Sequence, residues 1–137
     1  CGLRSKATDP EALQAQLKAS KVAERQLLED VVEDSKRAET FGLLLDERDT
    51  IVSVYADVVA DYIASMRALN SDYDATAEDF ERLITDYRSA RQSYQQDLIS
   101  VIQRMKATTN EKEWKRLAKF QLQELNPRET TQSKGGA

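Results

Sequence analysis

Between Pro10 and Pro127 the chain runs for 116 residues without a proline. Proline removes a backbone donor and breaks helix interiors, so this run leaves long helices open to the whole middle of the chain. The interior is rich in Ala, Leu, Gln, Glu, Lys and Arg, the good helix formers. Sustained alternation of apolar and polar residues is missing, as are Asn-Gly and Asp-Gly turns. Asp9-Pro10-Glu11 has the make-up of a helix start, and Asn126-Pro127 that of a stop. The expectation is an all-α domain over 10–126, between a short polar segment (1–9) and a tail (127–137) with no apolar anchor.

Apolar spacing divides the domain. A first helix is predicted over 10–40, with Leu13, Leu17 and Val22 forming a thin stripe that thickens from Leu27. A second, over 43–69, carries Leu45, Val52, Tyr55, Val59, Tyr62, Met66 and Leu69 at helical spacing. Thr40-Phe41-Gly42 is the only break between them, with Gly42 as the residue after the helix end. The rival reading is one continuous helix over 10–69. Asn70 to Ala75 is turn-prone, and Thr76 is the expected cap of a third helix over 77–107. There Phe80, Ile84, Tyr87, Arg91, Tyr94, Leu98, Val101 and Met105 hold a strict alternation of four and three residues. Thr108 with Glu111 reads as a capping box for a short fourth helix over 110–125. The predicted architecture is an antiparallel bundle of three long helices plus this short one.

Composition excludes several functions. The chain has no His, which removes the commonest general base and metal ligand, and one Cys, which removes any internal disulfide. A net charge of −4 argues against general nucleic-acid binding. No phosphate loop, nucleophile elbow or zinc-protease motif is present, so neither enzyme activity nor a metal site is expected. Arg91, at a heptad core position, is expected to pair with Asp57 or stack on Tyr55 and so pin the register of helices two and three. Tyr55, Tyr62, Tyr87 and Tyr94 read as bundle core. Residues 24–86 carry a net of −11 and residues 87–128 a net of +5. The basic end includes a compact patch of Lys112, Lys115, Arg116 and Lys119. Its two readings are a solvated surface and a contact for anionic lipid or polymer.

Cys1 is the sole cysteine and precedes Gly2-Leu3-Arg4-Ser5 and a polar stretch. This start resembles that of a mature bacterial lipoprotein, whose signal peptide is cut just before a lipid-bearing cysteine. The resemblance implies an acylated Cys1 and no other cofactor. Without Asp at position 2, it also implies the periplasmic face of the outer membrane. The rival reading is a fragment boundary or an added cysteine. The expected function is a non-catalytic envelope adaptor, scaffold or chaperone-like subunit that binds a protein partner. Leu13, Leu17 and Val22 are the expected partner-binding residues, because they bury too little in their own bundle. The alternatives are a carrier that holds an apolar ligand or acyl chain between its helices, and a cytosolic coiled-coil fragment.

Overall fold

A computed structural model describes residues 10–125 of the chain, with side chains over 11–122. Cys1, the 1–9 segment and the 127–137 tail lie outside the described residues. The fold is all-α, as the spacing predicts: α1 (Pro10–Val31), α2 (Ser35–Ser71), α3 (Ala77–Thr108) and α4 (Glu111–Leu125). The described residues form two compact units, one of residues 10–42 with 108–125 and one of residues 43–107.

The break between α1 and α2 lies at Val32-Glu33-Asp34, ahead of the expected Gly42. This corrects both sequence readings, since the first helix ends nine residues before 40 and no helix is continuous over 10–69. Asp34 begins α2: its carboxylate accepts the Lys36 N–H at 3.0 Å, and its carbonyl accepts the Ala38 N–H at 2.9 Å. Gly42 keeps an ordinary helical backbone inside α2. Its carbonyl accepts Arg25 Nη1 at 3.1 Å, so this point of α2 is held against α1.

The first unit joins α1, the start of α2 and α4. Leu28, Val32, Phe41 and Leu117 are buried, Phe41 and Leu117 almost completely. Arg37 ties the helix ends together. Its guanidinium meets the Glu113 carboxylate through two bonds, 2.7 and 3.2 Å, and donates to the Thr108 carbonyl at 3.2 Å. Glu113 also closes a reciprocal box with Asn110, both bonds 2.9 Å. The cap of α4 is therefore Asn110 with Glu113, not Thr108 with Glu111. Thr-Thr-Asn-Glu-Lys-Glu contains both patterns, and Arg37 selects the second.

The second unit is an antiparallel hairpin of α2 and α3. Its turn is closed locally. Asp72 Oδ1 accepts the Asp74 N–H at 3.0 Å, and Thr76 and Asp79 exchange bonds of 3.0 and 3.2 Å as the cap of α3. These bonds hold the Asp79 carboxyl below its ordinary range. Near the open end Leu44, Leu45, Val101 and Met105 are buried. There Arg104 clasps Glu47 through two bonds of 2.8 and 2.7 Å. Between residues 51 and 100 no side chain is buried.

Candidate functional site

Four tyrosines form a ladder along the hairpin. Tyr55 stacks on Tyr94 with ring centres 4.0 Å apart, and Tyr62 stacks on Tyr87 at 4.1 Å. The hydroxyls of Tyr55 and Tyr87 lie 2.9 Å apart in a hydrogen bond that links the two stacks. A spacing of seven on each helix puts both pairs on one seam, two turns apart. The bond to Tyr87, then burial, raises the Tyr55 phenol above the ordinary tyrosine range, against the opposing charge of Arg91.

The ladder corrects the expected role of Arg91. The connector runs from Asp72 to Thr76, so the pairing sits three residues beyond that of a turn about Tyr73. Tyr94 takes the place opposite Tyr55, Arg91 is exposed, and Asp57 is exposed as well. The register is held by ring stacking and by Arg104 with Glu47. Likewise Val52 of the expected stripe faces outward, and Ile51 takes the half-buried position.

Beside the lower stack lies an open depression of about 190 Å³, lined by Val58, Asp61, Tyr62, Ser65, Leu83, Asp86 and Tyr87. Along the same hairpin Val52, Val54, Ile63 and Ile99 are 45–58% exposed. The first unit carries a shallow groove of about 440 Å³, floored by Leu28, Val32, Ala38 and Gly42 and rimmed by Glu29, Glu33 and Glu39.

The remaining candidates fall on helix surfaces. Leu13, Leu17 and Val22 of α1 are 51–60% exposed, so the thin stripe is indeed sparsely packed. Lys112, Lys115, Arg116 and Lys119 are all exposed on α4. Among the described residues no group of three or more His, Cys, Asp or Glu is placed to hold a metal ion. Nor is any described helix long and apolar enough to cross a membrane.

Sequence reasoning missed Arg37 and Glu113. They lie 76 residues apart, and only the second of two overlapping capping patterns marks Glu113 at all. No protein-family signature, curated protein or solved structure matches the chain.

Proposed function

We propose that the chain is a non-catalytic, lipid-anchored adaptor of the bacterial envelope that binds a protein partner along its α2–α3 hairpin. The anchor is Cys1, and the location is the periplasmic face of the outer membrane. The observation that carries the binding role is the uncovered hairpin. No side chain between 51 and 100 is buried, while Val52, Val54, Ile63 and Ile99 face outward. Among the described residues the hairpin thus keeps apolar surface that a partner helix or sheet is suited to cover. The exposed α1 residues Leu13, Leu17 and Val22 offer a smaller second contact.

The carrier reading is weaker on the same ground. Stacked rings fill the seam where an acyl chain would lie, and the adjoining depression is open and small for such a ligand.

The test places a photo-crosslinking residue at Val54 or Ile99 in the native host, with Lys106 as control. A single adduct of defined mass from Val54 and Ile99 is expected. No adduct, together with fatty acid in an organic extract of the purified protein, favours the carrier. Anchoring is tested separately. Cys1→Ser should move the protein from membrane to soluble fractions, and an unmodified Cys1 mass in the native protein would end that part of the reading.

A further inference from the structure

The short fourth helix has two unlike sides. Leu117 and Glu113 point into the first unit. At 100° per residue, Lys112, Lys115, Arg116 and Lys119 fall on the opposite side within an arc of about 100°. All four are exposed. Lys115 meets Glu111 at 3.0 Å, but both partners are so exposed that the pair contributes little. The side chains of Lys112, Arg116 and Lys119 make no hydrogen bond or ion pair among the described residues. The row through Lys115 and Lys119 ends at Leu122, which is 67% exposed.

We propose that this side of α4 rests on an anionic bilayer surface. Four cations on a flat helix face complement a layer of headgroup phosphates. Their aliphatic stems suit the boundary between water and lipid, and Leu122 supplies an apolar contact at the end of the row. An acidic protein is the rival occupant of this side, and the vesicle experiment below separates the two. The inference deepens the reading of an anchored protein: eight residues lie between Cys1 and Pro10, so the nine steps from one to the other reach no more than about 30 Å. On this reading the bilayer that holds the anchor is also the surface met by the basic side of α4, and the contact orients the first unit there.

The experiment uses the unlipidated full chain, Cys1→Ser, so that binding does not depend on the anchor. It is sedimented with vesicles of phosphatidylcholine alone and of phosphatidylcholine with 30% phosphatidylglycerol. Binding is expected only to the anionic vesicles, and it should fall steeply between 50 and 500 mM NaCl. At roughly fivefold per basic residue, replacing all four (Lys112→Gln, Lys115→Gln, Arg116→Gln, Lys119→Gln) should weaken binding by several hundredfold. The thermal midpoint should stay unchanged, which shows that the variant folds. Equal binding to both vesicle types, or full binding by the folded variant, overturns the proposal. So does salt-sensitive self-association without vesicle binding, which assigns the face to the acidic surface of a second copy. None of these outcomes touches the lipidation of native Cys1, which is read from its mass.

Discussion

The two units spend their apolar residues differently. The first is tied shut: Phe41 and Leu117 are buried, and Arg37 meets Glu113 across 76 residues of sequence. The second keeps its buried residues to its open end and leaves the rest of its length half covered. Their charges differ too. The hairpin unit has seven Lys and Arg against twelve Asp and Glu, a net of −5, whereas the other unit is near neutral. A unit that hides its apolar surface gains stability from it. A unit that displays apolar surface beside excess charge stays soluble and keeps that surface for other contacts.

The contrast can be broken most directly in the first unit. Leu117→Ala should cost about 2–5 kcal/mol, because a fully enclosed side chain leaves a cavity. Urea denaturation followed by circular dichroism reads the loss, and a change under 1 kcal/mol would mean that this core is loose.

Glu113→Gln comes next, at about 1–3 kcal/mol, since it removes the charge facing Arg37 and weakens the cap of α4. This variant also has a pH signature. Bonds from Arg37 and then from the Asn110 N–H hold the Glu113 carboxyl below its ordinary range. A lowered folded-state value gives stability that is complete above the unfolded value of about 4.3 and is lost as pH falls through the folded value. The denaturation midpoint of the wild-type protein should drop on acidification more steeply than that of Glu113→Gln. Parallel curves would remove Glu113 from the account.

In the hairpin, Tyr87→Ala should cost about 1.5–3 kcal/mol through lost stacking area. Hydrogen exchange should localise the effect to 51–100, with α1 and α4 unaffected. Uniform loss of protection would show that the two units unfold as one.

The smallest effect is expected at Arg91. Exposed and no part of the ring stacks, although its charge reaches Tyr55, Arg91→Ala should change stability by no more than about 0.5 kcal/mol. A loss above 1 kcal/mol would restore the register role that its heptad position suggests.

These cases show where the sequence is legible. The all-α class, the four helices and the bounds of α3 and α4 follow from apolar spacing and local caps, which are properties of a few neighbouring residues. The break at 32–34 was hidden because Arg37 occupies the place where a capping box has Glu or Gln. Gly42 looked like an end because glycine favours helix ends, yet here it sits within α2 against Arg25. The tyrosine ladder was readable as a stripe, but its pairing depended on where the turn centre fell. A shift of three residues exchanged Arg91 for Tyr94. The Arg37–Glu113 tie had no local signature, since its partners meet only after the chain has folded back.

That tie has a consequence for the order in which the protein assembles. The first unit is discontinuous in sequence, and the whole of 43–107 lies between its halves. Closing a flexible loop of that length costs entropy before any contact offsets it. The hairpin needs no such closure, because its turn at 72–76 is set by neighbours and the helices zip outward from there. Once zipped, it shortens the effective loop and brings Thr108 toward the start of α2. The hairpin is thus expected to form early and Arg37 to find Glu113 late. Mutations in the tyrosine ladder should then slow refolding, whereas Glu113→Gln should chiefly hasten unfolding.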